Sequence, residues 1–270
     1  VTTTQAIFPW VFITLNKILN AFMKAVLPEK RPMDNMAIKE DMPQEEELAI
    51  ANLCKYSPNF GAYFPKKIEQ YYNKYSFFDG VDIKIINKWK YTYKYFLKKI
   101  SLKNKNKAVL SKSLVNSCRI KYLLEMFPDA KFIFIYRNPY NVFQSTLKLY
   151  NKFIFEHMSF QKISNEELQE IVLKLAKKGF NRYFKDKNLI EENNLVEVKF
   201  EDFVKSPVDH LQSIYEKLGF DGFDEAKPNF VEYAKRYENY KSDKYVIEEE
   251  LKEKIYKELF QIFDVYNYSK

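Results

Sequence analysis

The run Lys131-Phe-Ile-Phe-Ile-Tyr-Arg-Asn-Pro139 constrains this chain more than any other stretch. Phe132 to Tyr136 carry no polar alternation, which is the pattern of a strand covered on both faces and therefore of a parallel sheet flanked by helices. Asn138 can cap a helix whose first position is Pro139, and Val142, Leu149 and Phe153 give that helix an inner face. Upstream, Ala108-Val-Leu-Ser-Lys112 reads as a short buried strand. A helical pattern follows it through Val115, Arg119, Ile120, Leu123, Leu124 and Phe127, and Pro128-Asp129 turns the chain. Downstream, Leu195-Val-Glu-Val-Lys-Phe200 reads as a third strand. Strands alternating with helices imply an α/β fold, three layers α/β/α around a central parallel sheet.

The remaining pattern is helical. Apolar residues at 12, 15, 19, 22 and 26 predict an amphipathic helix ended by Pro28. Its polar positions Asn16, Lys17, Asn20 and Lys24 are few and mixed, which favours core packing or a substrate-facing wall over a membrane-surface helix. Pro43-Gln-Glu-Glu-Glu47 suits a helix start, since carboxylates complement the helix dipole. Trp89, Tyr93, Phe96 and Ile100 share one face of a helix whose other side carries Lys90, Lys94 and Lys98. Ser164 and Glu167 form a capping-box pair, Pro207 opens a helix closed by Gly219, and a last helix spans 248–263. With no repeat and no linker, residues 1–270 read as one domain.

Composition excludes several classes. Hydrophobic residues at 46% and charged residues at 30% rule out general disorder, and five glycines rule out collagen-like and propeller arrays. The net charge of +8 is concentrated: residues 81–121 hold twelve Lys or Arg against Asp82 alone, a local balance of +11. Such a field suits a nucleotide, a sulfated or phosphorylated substrate, nucleic acid or a membrane surface, or else a solvated helix face. Cys54 and Cys118 match no disulfide framework or zinc spacing, which points to a reducing compartment, the cytoplasm by default. His157 and His210 have no partner pattern. No apolar run reaches membrane-spanning length.

In a parallel α/β sheet, ligands bind at the carboxyl ends of the strands. Two successive strands are expected to end in Lys112 and Arg137, placing both cations on one rim. Ser145, on the helix that Asn138 caps, can point back toward it. A guanidinium, a hydroxyl and a helix N-terminus make a phosphate site.

Lys131 to Ser145, with Arg137-Asn-Pro at the strand end and Ser145 eight residues later, resembles the 3′-phosphate segment of sulfotransferases that use 3′-phosphoadenosine 5′-phosphosulfate (PAPS). Lys112-Ser-Leu-Val-Asn116 with Arg119 resembles the lysine-bearing strand end of the bacterial and tyrosylprotein-type branch. Phe200-Glu-Asp-Phe203 with Pro207, Leu211, Ile214 and Leu218-Gly219 is similar to the family's Tyr-Glu-Asp strand end and following helix. Arg31-Pro-Met-Asp-Asn35 and Pro43 to Glu47 also match a stretch of bacterial members. The resemblance covers about residues 1 to 265. It implies a P-loop NTPase-like sulfotransferase fold and transfer of a sulfuryl group from PAPS to a hydroxyl, or an amine, with no metal.

In the residues, it implies Lys112 as the group stabilising charge on the transferring and leaving oxygens. Arg137 and Ser145 would hold the 3′-phosphate, Phe200 would lie beside the nucleotide, and Lys241 and Lys244 would close over the phosphates. The family's Gly-Thr/Ser-Thr loop, which cradles the 5′-phosphosulfate, has no counterpart: Gly61, Gly80, Gly179, Gly219 and Gly222 lie in no phosphate-loop context. The fold is thus expected to lack its first strand–loop–helix unit and to be N-terminally incomplete. One branch has a His where Leu114 stands, so the general base expected here is Glu45. The acceptor stays open among glycan, lipid, phenol and protein tyrosine. Two other readings are a non-enzymatic basic–aromatic protein binding nucleic acid or another polyanion, and an inactive remnant. A P-loop kinase would need a Gly-Lys-Ser/Thr loop and Mg²⁺ ligands, and neither is present.

Overall fold

The computed structural model describes residues 1–30, 38–237 and 245–270. Its main helices, in chain order, begin with α1 (Thr3–Ile7), α2 (Phe12–Val26), α3 (Glu46–Leu53), α4 (Ile68–Tyr75), α5 (Ile83–Lys103) and α6 (Ile120–Met126). The strand β1 (Phe132–Tyr136) leads into α7 (Pro139–Leu149), prolonged as a π-helix to Met158, and α8 (Asn165–Asp186) follows. Then come β2 (Leu195–Lys199), α9 (Pro207–Leu218), α10 (Phe223–Tyr237) and α11 (Glu249–Val265). Local chemistry sets the boundaries. Asn138 accepts a hydrogen bond from the Tyr140 amide at 2.9 Å, Ser164 accepts one from the Glu167 amide at 3.1 Å, and Gly219 ends α9 at φ +62°.

β1 and β2 are parallel and in register from Phe132 opposite Leu195 to Tyr136 opposite Lys199. Because side chains alternate, Phe134 and Tyr136 share a face with Glu197. Phe134 stacks on Tyr183 of α8 with centroids 3.7 Å apart, and Tyr136 stacks on Tyr266 at 3.9 Å. The hydroxyls of Tyr183 and Tyr266 donate to Glu197 Oε1 at 2.9 and 2.7 Å, and Lys187 Nζ lies 3.2 Å from Oε2. Burial alone would raise the Glu197 carboxyl, but these donors outweigh it and hold the group below the usual glutamate range. A depressed folded value stabilises the fold above the unfolded pKa, and that contribution is lost as pH falls through the folded one. Glu197→Gln should cost about 1–2 kcal/mol at neutral pH. Urea midpoints should show the deficit shrinking at acid pH.

The opposite face is covered unevenly. Val196 and Val198 of β2 are buried under Ile214 and Leu218 of α9. Ile133 and Ile135 of β1 are 39% and 54% exposed. The expectation of a sheet covered on both faces therefore fails over β1.

The expected strand at 108–112 is also absent: among the described residues the sheet has two strands, and this segment runs unpaired with Leu110 81% exposed. A five-residue apolar run becomes a strand only where a neighbouring edge offers its backbone groups, and none of the described residues lies alongside it in that way. The sequence pattern assigns no element to α10, which carries Pro228 within it.

Candidate functional site

Side chains, not a sheet, hold the Lys112 segment. Lys112 Nζ lies 2.6 Å from Glu45 Oε1, and Ser113 Oγ donates to Glu45 Oε2 at 3.4 Å. Ser111 Oγ is 3.1 Å from the Tyr93 hydroxyl, which donates to Glu46 Oε1 at 2.9 Å. Asn116 Nδ2 donates to the same oxygen at 2.5 Å. Glu46 is fully buried, and burial first, then the Glu46 charge, pushes the Tyr93 phenol far up, so it stays a donor. These contacts join the start of α3, the middle of α5 and residues 111–116. The two residues expected to carry chemistry, Lys112 and Glu45, are thereby brought together at the surface.

Behind them lies a second pair. Arg119 and Glu47 are 0% and 1% exposed, with Nη1 2.5 Å from Oε2. Arg119 Nε donates to the Tyr75 carbonyl at 3.0 Å, and the guanidinium lies 4.7 Å from the Trp89 ring centre. Burial raises the Glu47 carboxyl, and Arg119 opposes the rise. Of the three glutamates at this helix start, then, Glu46 and Glu47 face inward and Glu45 outward.

A third cluster forms where the strands end. Since Tyr136 stands opposite Lys199, the next residues, Arg137 and Phe200, meet: the guanidinium sits 4.5 Å above the Phe200 ring centre. Arg137 Nε is buried with no hydrogen-bond partner. The nearby Glu201 is occupied by neutral donors, the Asn138 amide at 2.9 Å and the Tyr268 hydroxyl at 2.7 Å, and among the described residues Arg137 has no ion pair. A cleft next to it is lined by Asn138, Asn141 and Lys199 together with Glu201, Asp202 and Lys205, the last two paired at 3.1 Å. The arrangement leaves the Arg137 charge without an ion-pair partner among the described residues, a geometry that suits an anion.

Ser145 is exposed on α7, one turn beyond Asn141 on the same face, and no contact joins it to Arg137. No hydrogen bond or ion pair joins the Lys112–Glu45 pair to Arg137 either, so the common rim expected from two adjacent strand ends is not formed by β pairing. Lys241 and Lys244 lie outside the described residues. The sequence reading did not assign the buried partners Glu46, Tyr93 and Asn116, or Glu47 with Arg119. Their signals in the sequence are the Glu45-Glu-Glu47 run, the Lys112–Asn116 segment with Arg119, and Tyr93 on the apolar face of its helix.

A model of the sulfotransferase family matches residues 14–225. The omega-hydroxy-beta-dihydromenaquinone-9 sulfotransferases Stf3 of Mycobacterium bovis and Mycobacterium tuberculosis are each 28% identical over 249 residues, covering 92% of this chain and 63% of theirs. The chain thus spans less than two thirds of these relatives' length. Among solved structures, sulfotransferase STF9 of Mycobacterium avium matches with a TM-score of 0.73 at 17% identity, over 98% of this chain and 69% of that one, a likeness of fold.

Proposed function

The chain belongs to the sulfotransferase family, and from that premise we propose that it moves a sulfuryl group from PAPS to a hydroxyl acceptor. The observation that carries this reading is the unpaired Arg137 guanidinium, stacked on Phe200 with Nε buried and unpartnered. A buried donor without a partner is costly, and an anionic ligand removes that cost. Arg137 would hold the 3′-phosphate, with Ser145 reached along α7, and Phe200 would flank the nucleotide. PAPS supplies the activated sulfuryl group. Lys112 Nζ supports negative charge as it builds on the leaving oxygen, and Glu45, already 2.6 Å from that ammonium, takes the acceptor hydroxyl's proton. Lys241 and Lys244 belong to the phosphate side in this reading, and the charge work falls to these cations without a metal.

The bare Ile133 and Ile135 and the unpaired edge of β1 suit a further strand–loop–helix unit, outside these 270 residues, whose backbone amides would receive the 5′ end. Residues 1–270 with that unit would form one domain. Cys54 and Cys118 are both free, consistent with a reducing, cytoplasmic setting. The acceptor proposed is a lipid alcohol, supported by the names of the curated relatives.

Calorimetry with adenosine 3′,5′-bisphosphate tests the nucleotide half. Arg137→Ala should weaken binding about 30- to 1000-fold, the equivalent of ~2–4 kcal/mol, while ADP binding barely changes. Equal losses for both ligands would remove Arg137 from this role.

A further inference from the structure

The apolar stripe of α2 does not face the core. Phe12 and Met23 are buried, but Val11, Leu15, Ile18, Phe22 and Val26 are 38%, 42%, 68%, 53% and 55% exposed. At 100° per residue they fall within an arc of about 80°, and Trp10, 55% exposed, precedes the helix in the chain. Core packing, one of the two roles expected for this stripe, therefore fails for Leu15, Phe22 and Val26.

A second exposed face runs along α5: Lys84, Lys88, Tyr91, Tyr95, Lys98 and Leu102, which fall within an arc of about 80°. The segment that leads into α2 is tied to α5 through a buried lysine. Lys99 Nζ donates to the carbonyls of Pro9 and Trp10 at 2.6 and 2.7 Å and lies 5.3 Å from the Tyr95 ring centre. Neither α2 nor α5 contains an acidic residue. No helix among the described residues is long and apolar enough to cross a membrane.

We propose that α2 and the outer face of α5 together form a docking surface for an anionic lipid bilayer. The α2 stripe would enter the headgroup–acyl boundary lying in its plane, with Trp10, Tyr91 and Tyr95 at the depth that amphipathic rings prefer. Lys84, Lys88 and Lys98 would face lipid phosphates, where each cation near the surface strengthens binding severalfold. Charge selects this occupant. A second copy of the chain would bring the same uncompensated lysines together, and an apolar protein partner would leave them unused. The docking surface stands without the transfer reaction, although it would present the enzyme to lipid-dissolved acceptors if that reaction is as proposed.

Flotation of the whole chain with vesicles of phosphatidylcholine alone, or with 30% phosphatidylglycerol, tests the proposal at physiological salt. The chain should float with the anionic vesicles and stay in solution with the neutral ones. Ile18→Asp and, independently, Lys88→Glu with Lys98→Glu should each lower anionic-vesicle binding about tenfold or more, with unchanged circular dichroism and unchanged nucleotide binding. All these side chains are exposed, so the fold should survive. Three results would overturn it: no flotation with either vesicle, equal flotation with both, or a dimer by light scattering that Ile18→Asp dissolves while vesicle binding is absent. Preferential binding of an arbitrary oligonucleotide over anionic vesicles would assign the lysines to nucleic acid instead.

Discussion

Arg119→Met should lower the stability of the fold by about 3–5 kcal/mol, more than any other single change considered for this chain. The methionine fills much of the volume between Phe78 and Trp89, so the loss is electrostatic. It leaves Glu47, 1% exposed, with no cation, and leaves the Tyr75 carbonyl without its guanidinium donors. At ~2–4 °C per kcal/mol for a protein of this size, the melting temperature should fall by roughly 6–20 °C. The variant should also acquire a distinctive pH dependence. Burial already raises Glu47, and removing Arg119 raises it further. A carboxylate whose folded pKa is raised costs stability above its unfolded value, so the deficit should shrink as pH falls through the window between the two. Glu47→Gln combined with Arg119→Met should cost less than the two single changes summed, because neither charge is then stranded. Urea titrations of the four proteins measure all of this, and a deficit below ~1 kcal/mol for the single Arg119 variant would refute it.

Lys112→Ala has its expected effect elsewhere. Its ion pair with Glu45 is largely exposed, with side chains 76% and 37% accessible, so losing it should move stability by no more than ~1 kcal/mol. If Lys112 supports the leaving oxygen, kcat should nevertheless fall about a hundredfold or more, ~3 kcal/mol of barrier, with little change in nucleotide affinity. The comparison belongs in a polypeptide that also carries the strand–loop–helix unit. Lys112→Arg should rescue little, since a planar fork does not replace a compact ammonium at one oxygen. Wild-type turnover in the alanine variant would make Lys112 a surface lysine.

Much of this arrangement was legible in the sequence where the determinants are local. The apolar run at 132–136, the Val-rich segment at 195–199, the Asn138–Pro139 helix start, the Ser164 cap and the Gly219 stop all depend on a few adjacent residues, and all are present. The Arg137–Phe200 stack follows from the same strands, because their register brings the two following residues together. The errors arose where a partner far along the chain decides. Residues 108–112 have strand composition but no neighbouring edge among the described residues, so the segment is pinned by Ser111, Lys112 and Ser113 side chains instead. Three successive glutamates at a helix start suit the helix dipole, and their spacing alone does not say which of them turn inward. Only the fold reveals that Tyr93, Asn116 and Arg119 wait behind two of them. The α2 stripe shows the same limit, since amphipathic spacing gives a face and not what that face meets.

The most direct measurement of the central claim is group transfer itself. The chain, extended by the strand–loop–helix unit, would be incubated with sulfur-labelled PAPS and a hydroxylated isoprenoid quinol in anionic vesicles, with products resolved by mass spectrometry. The expected result is a sulfate ester of the lipid and an equimolar amount of adenosine 3′,5′-bisphosphate, with no product from ATP and about a hundredfold slower formation after Lys112→Ala. A phosphorylated product from ATP, or no ester from a protein that calorimetry shows to bind both PAPS and the vesicles, would contradict the assignment of this site to sulfuryl transfer.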